Sequence, residues 1–511
     1  MLMPATQHKR SPDPDFAGTV RSTALVGGGS VASMVIGLVR TKFIAALIGP
    51  SGIALFALFN QLAEVVGAGT SFGLGTSGVR QIAAAHATHD PERLARTVKT
   101  LRRTSWCTGA LGFVLMLAGA RFASRVTFDD ATKALPISLL GIMVLFRALT
   151  TGQTCIIQGT RRMKQFVLLN VGGAIGGLLA SVPCVYFWGT GGIVPGLVLA
   201  SAATLAVSWW LSHRIPVAPI RHSWSNTGHE ASELFRFGFP LMLMGLVGTL
   251  SPYLERVILL RTIGLSDLGQ YQAAYALTGV LTSFVLAAMT ADCYPKLVGL
   301  AEDAGLLGRE VNAQIEASLL MAIPGVLWLF ALSPLVVVAL YTEKFSPAAV
   351  VLRITILGVI GRLVSWPLRL AFMAKGMGGT VLSIEIASAA VGLGLIALLS
   401  PIMGLRGAGW AFATANLLLP LAQLALLPWL VGIRVSPANL MRAAWGFLAL
   451  GVLAANQAVN PVAGLRWAMA VLVASVGALV CARALSHRTG WNLRRLFDRV
   501  RGNPSSGESP S

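Results

Sequence analysis

V-R-T-K-F-I-A-A-L-I-G-P-S-G-I-A-L-F-A-L-F-N-Q-L-A-E-V-V-G-A-G-T-S-F-G-L-G-T-S-G-V-R-Q, residues 39–81, is apolar enough to lie in a lipid bilayer. It nevertheless carries Arg40, Lys42, Asn60, Gln61, Glu64 and Arg80. A charge at bilayer depth costs roughly 2.5–3.5 kcal/mol on insertion scales, so it persists beside a partner, at an interface or in a hydrated cavity. The stretch therefore reads as a hairpin lining a polar path through a membrane.

The rest of the chain agrees. Of 511 residues, 55% are hydrophobic and 12% charged, with a mean hydropathy of +0.71. A soluble domain carries about 25% charged residues, so the class is all-α, polytopic and membrane-integral. The formal net charge of +20 invites a nucleic-acid reading. Its distribution argues against one, because most Lys and Arg fall in tails and loops on one side of the expected spans. That bias is the positive-inside pattern, and it predicts cytoplasmic termini. The five cysteines form no C-x-x-C pair and the seven histidines avoid mid-span positions. Neither points to a metal site or a cofactor.

A span takes about 20 apolar residues. The hydropathy predicts about 14 transmembrane helices, the second of them over 52–84 and the third over 104–121. Residues 1–20 read as a cytoplasmic tail, 21–213 as an N-terminal six-helix bundle, 214–236 as a basic cytoplasmic linker and 237–432 as a C-terminal six-helix bundle. Residues 433–484 read as an extra helix pair and 485–511 as a basic, disordered cytoplasmic tail. Asp90 to Lys99 and Lys296 to Gln314 read as inner loops, and Gly49–Gly52, Gly189–Gly192 and Gly264–Asp267 as tight outer turns.

A repeat is visible. At a shift of 215, Ile48-Gly-Pro-Ser-Gly-Ile-Ala-Leu-Phe56 lies over Ile263-Gly-Leu-Ser-Asp-Leu-Gly-Gln-Tyr271. The shift spans six expected helices, an even number, which predicts a parallel repeat with the substrate path between its halves.

The informative residues are the membrane charges. Arg147 and Arg362 fall at the centres of the fourth and tenth expected helices, too deep to reach either interface. Glu64 is the mid-span acid available as a partner. The bland alternative is an ion pair that only holds helices together. Arg40 and Lys42 lie within about two turns of the outer turn, where snorkelling is also open to them. Glu255 and Arg256 have the equivalent depth in the seventh helix. Arg80 and Asp292 sit near inner helix ends, as gate contacts or as interfacial anchors, and Arg353 and Arg369 read better as interfacial. Intramembrane cations outnumber acids, a surplus that a hydrated lumen receiving an anion would accommodate. The planar guanidinium fork suits phosphate. The residues thus point to transport of an anionic, phosphorylated substrate.

Lys42, Leu-Ile-Gly-Pro-Ser-Gly at 47–52, Asn60-Gln61 and Gly78-Val-Arg80 resemble the first hairpin of Wzx-type flippases for lipid-linked oligosaccharides. These belong to the multidrug/oligosaccharidyl-lipid/polysaccharide exporter superfamily. Leu268-Gly-Gln-Tyr-Gln-Ala-Ala-Tyr275 and Ala291-Asp-Cys-Tyr-Pro-Lys-Leu297 resemble two further segments of that family. The resemblance covers roughly residues 20–432. It implies a polysaccharide-export protein of the bacterial inner membrane, not an enzyme, whose two bundles surround a cationic cavity. The cargo would be an undecaprenyl-pyrophosphate-linked glycan for O-antigen, capsule or exopolysaccharide. The partners it implies are a polysaccharide polymerase and a chain-length regulator, around a monomeric flippase. Lys42 and Arg80 match family basic positions and Asp292 the family acid. The substrate set expected is Arg147, Arg362, Lys42, Arg40, Arg80 and Arg256, with Glu64, Asp292 and Glu255 in coupling or gating. The last two helices depart from twelve-helix Wzx proteins and leave a lipid II flippase open. A cation-coupled drug exporter would want a membrane-embedded carboxylate cluster, and a membrane-embedded glycosyltransferase or polymerase would want longer outer loops.

Overall fold

The computed structural model describes residues 16–220, 223–459 and 463–489. The first fifteen residues and those after 489 lie outside it, so most of both expected tails does too. Among the described residues the chain forms thirteen α-helices and three short 3-10 turns, with no strand. They are α1 (Phe16–Thr70), α2 (Leu74–Ala87), α3 (Pro91–Phe128), α4 (Ala134–Gly159), α5 (Met163–Trp188), α6 (Ile193–His213), α7 (Trp224–Gly299), α8 (Ala304–Ala331), α9 (Ser333–Leu340), α10 (Ala348–Ala374), α11 (Gly378–Leu430), α12 (Pro437–Val459) and α13 (Ala463–Thr489). Ten helical segments among the described residues are long and apolar enough to cross a membrane. Their outward faces expose large apolar side chains such as Phe122, Phe187 and Trp429, as a hydrocarbon surrounding favours.

Four of the ten segments contain a break, at Gly49, Gly189, Gly264 and Gly404. Each of these glycines has positive φ, of 63°, 54°, 81° and 57° respectively. A side chain would strain that conformation, and glycine enters it freely. At the first break Pro50 restarts the helix, a position where its missing N–H costs nothing.

These breaks carry the repeat better than the residue identities do. Gly49 pairs with Gly264, and Gly189 with Gly404, each at a shift of 215. The positive-φ turn at Arg161 (55°) pairs at the same shift with that at Gly376 (76°). The parallel pseudo-repeat is thus built into the backbone, with α12 and α13 added beyond it. That extra pair docks on α8 through an Arg442–Glu316 ion pair of 2.9 Å and an Asn439 Nδ2 hydrogen bond of 2.8 Å to the Asn312 carbonyl.

Several expected boundaries shift. The helix expected over 52–84 ends at Thr70, and the chain breaks at Ser71–Gly73, with Phe72 and Gly73 at φ 46° and 68°. The inner loop expected over 90–99 is the first part of α3. Asp90 caps it, its carboxylate accepting from the Glu92 and Arg93 amides, and Pro91 supplies the first turn. Asp303 caps α8 in the same way, so the loop expected over 296–314 is already helical from Ala304. The linker expected to reach Arg236 gives way to α7 at Trp224.

The halves meet closely at two levels. At one, Gly269 lies so near the Pro50 carbonyl that a Cβ added there would come within 2.0 Å of its oxygen. At the other, a Cβ on Gly238 would come within 2.0 Å of the Phe72 carbonyl oxygen, and one on Gly73 within 2.3 Å of the Gly238 oxygen. Between these levels Gln61 Nε2 donates to the Thr249 carbonyl at 2.9 Å. The space between the halves is pinched at both levels.

Candidate twin arginine cavities

In the N-terminal half, α1, α4, α5 and α6 enclose a cavity of about 360 Å³. Arg147 projects into it from the middle of α4. Its Nη2 donates to Asn60 Oδ1 at 2.9 Å, and its Nη1 lies 3.5 Å from Glu64 Oε1. Asn60 Nδ2 donates to the same carboxylate at 2.7 Å. Asn60 and Glu64 are one helical turn apart on α1, so a single face presents both. The pairing expected between Glu64 and Arg147 is present, but it is loose. Both side chains are about two-fifths exposed (39% and 38%), and the contact is single-pronged. A pair so accessible to water contributes little to stability. That weakens the reading of Arg147 as mere helix glue.

Arg40 completes the cationic wall. Its guanidinium packs where Gly177 leaves room: a Cβ on that glycine would lie 3.1 Å from Arg40 Nη1. Its carbon centre stands 5.8 Å from the Phe56 ring centroid. Arg40 Nε is buried without a hydrogen-bond partner. Hydroxyls of Thr150, Thr151, Ser201 and Thr204 line the same space.

The C-terminal half holds a second cavity, of about 250 Å³. Adding 215 to the residues around the first cavity gives residues around the second in every case but Met143. Arg147 corresponds to Arg362, Arg40 to Glu255, Asn60 to Tyr275, Thr151 to Trp366, Gly177 to Gly392 and Ser201 to Asn416. The two mid-span arginines selected by depth are therefore repeat mates, a signal present in the numbering that the sequence reading did not use. Around Arg362 the cavity also holds Arg369 and Glu385, paired at 3.3 Å. Arg369, expected near the interface, thus also lines this cavity. Glu255 accepts from Ser251 and lies within electrostatic reach of Arg256 and Arg362.

Other expected site residues fall elsewhere. Lys42 is exposed and lines neither cavity. It is two residues from Arg40, which on a helix is a rotation of about 200°, so the two cannot share a wall. Arg80 is exposed on α2, away from both cavities. Arg256 is only 4% exposed. Its Nε donates to Gln272 Oε1 at 2.9 Å and its Nη1 to the Pro252 carbonyl at 2.6 Å, and it stacks over Tyr275 at 5.0 Å. It borders a small space between the halves, and two of its nitrogens brace the bend of α7. The Asp292 side chain lies outside the described residues. Sequence reasoning missed Tyr275, Trp366 and Asn416, whose types are ordinary in any packed helix.

Residues 31–350 match the family model described as polysaccharide biosynthesis protein. The chain belongs to that family. The lipid III flippase of Escherichia coli is 22% identical over 296 residues, covering 57% of this chain and 68% of that protein. Among solved structures, the lipid II flippase MurJ in an inward closed conformation superposes with a TM-score of 0.69 at 12% identity, covering 92% of this chain and all of that one. An inward-facing multidrug resistance MATE family transporter of the MOP superfamily gives 0.64 at 14% identity, covering 82% and 95%. At such identities the solved structures establish the fold. Together with the family and the ten long apolar helical segments, they make this chain a multi-pass, all-helical membrane protein of polysaccharide biosynthesis.

Proposed function

We propose that this flippase carries an undecaprenyl-pyrophosphate-linked oligosaccharide unit across the bacterial inner membrane, for O-antigen, capsule or exopolysaccharide synthesis. The cargo enters from the cytoplasmic leaflet, and the two halves rock about the pinch points to release it outside. Both termini are cytoplasmic and the broken segments each cross twice, giving fourteen crossings. The protein works as a monomer beside a polysaccharide polymerase and a chain-length regulator. The observation that carries the reading is the N-terminal-half cavity, which two guanidinium groups line while the neighbouring carboxylate, Glu64, pairs with Arg147. A diphosphate neutralises that excess and satisfies the unpartnered Arg40 donor. Glu64 holds Arg147 until the diphosphate displaces it.

A host lacking the gene should accumulate the lipid-linked unit on the cytoplasmic face. Arg147→Ala and Arg362→Ala proteins, present at normal abundance in the membrane, should fail to relieve that accumulation. Full relief by both variants would refute the arginine cavities. The extra helix pair keeps a lipid II flippase as the second reading, since the fold match to MurJ extends over 92% of this chain. Rescue of a strain lacking its lipid II flippase would overturn the first choice.

A further inference from the structure

The twin cavities share a scaffold and differ in chemistry. Where the N-terminal cavity has Arg40, its mate has Glu255. Thr151 becomes Trp366, Asn60 becomes Tyr275, Leu197 becomes Phe412 and Ser201 becomes Asn416. Tyr275 and Phe412 meet edge to face at 5.7 Å, so two of these aromatic rings are in direct contact. The first cavity is lined by guanidinium and hydroxyl donors. In the second, two arginines face two carboxylates, Glu255 and Glu385, with no cationic excess.

From these differences we infer that the C-terminal-half cavity is a sugar-binding subsite, separate from the diphosphate site in the other half. The inference rests on the function proposed above. A sugar ring offers apolar C–H faces and a fringe of hydroxyls. Aromatic faces such as Trp366 and Tyr275 cover the first. Carboxylates accept from the hydroxyls, and the Asn416 amide both donates and accepts. A diphosphate gains nothing there, because Glu255 stands where the other cavity presents Arg40. Size agrees with a division of the cargo. At about 360 and about 250 Å³ the cavities sit near or below the lower end of ordinary ligand pockets. Neither alone encloses a diphosphate together with a glycan. The pseudo-twofold repeat thus becomes a two-part reader of a two-part headgroup.

The test compares two probes on the purified full-length protein: undecaprenyl diphosphate without sugars, and the lipid-linked unit extracted from the deletion host. Trp366→Thr and Asn416→Ser install the residues found at the equivalent N-terminal positions. A monodisperse elution profile confirms folding. Wild-type protein should bind the glycan-bearing lipid more tightly than the bare one. The combined C-terminal variant should remove about tenfold of that preference, while Arg40→Ala with Arg147→Ala should weaken both probes by about tenfold or more. Equal loss for both probes in the Trp366→Thr/Asn416→Ser protein, or a preference that it leaves intact, would overturn the sugar subsite. Wild-type affinities that do not differ would also overturn it. Unchanged binding of both probes in the double arginine variant would instead refute the diphosphate reading of the N-terminal cavity.

Discussion

Gly177 shows how one residue sets the site. It has no side chain because the Arg40 guanidinium occupies that space, with Nη1 3.1 Å from where a Cβ would be. Gly177→Val should push Arg40 out of the cavity and cut export at least about tenfold, while abundance holds. Its mate Gly392 meets only the Ala415 methyl, at 3.6 Å, so Gly392→Ala should export normally. Equal export by Gly177→Val and wild type would remove Arg40 from the site. Glu64 supplies a second case. Because its contact with Arg147 is single-pronged and partly exposed, Glu64→Gln should cost at most about 1 kcal/mol of stability in detergent unfolding. A loss of about 3–5 kcal/mol would mean a buried structural pair instead. At this scale the sequence was half legible. A mid-span arginine has few innocent explanations, so Arg147 and Glu64 were readable. Trp366, Tyr275 and Asn416 were not, because only their place around a cavity separates them from packing residues. Lys42 lines neither cavity, because depth along a helix says nothing about angle around it.

The elements that matter most are the broken helices. Gly49 and Gly264 were legible as turns because glycine with a polar neighbour interrupts an apolar run. The break at Ser71–Gly73 was not, because glycines within a span also serve close packing. Its role appears only when α7 is in place: the Phe72 carbonyl rests against Gly238. The repeat is unequal here, since α7 runs on from its break at Gly264 to Gly299 without a second one. Both contact levels are closed in this structure. Gly269→Ala should wedge open the level at Pro50, since its Cβ overlaps a carbonyl that cannot rotate away. An Ala276→Cys probe on the space between the halves, in a background with the exposed Cys107 replaced by serine, should then react faster with a water-soluble maleimide. An unchanged rate would show that the Pro50–Gly269 contact does not close the cavity.

For the whole molecule, composition alone pointed to the solvent: 12% charged residues, beside 55% hydrophobic, is about half the charge a soluble domain carries. The 215-residue shift was legible from a few identities, and its force came from backbone angles that sequence does not display. Duplication explains why Arg147 and Arg362 share a depth, and divergence between the copies explains why their surroundings do not. The central claim is that this chain moves a lipid-linked oligosaccharide past the arginine of its N-terminal cavity. The direct measurement places purified protein in vesicles loaded with the lipid-linked unit on the inner leaflet and follows the appearance of its sugars to an external lectin. The account predicts rapid exposure with wild-type protein and, with Arg147→Ala, exposure no faster than in protein-free vesicles. Equal exposure with the wild-type and Arg147→Ala proteins, or none above the protein-free rate with either, would contradict it.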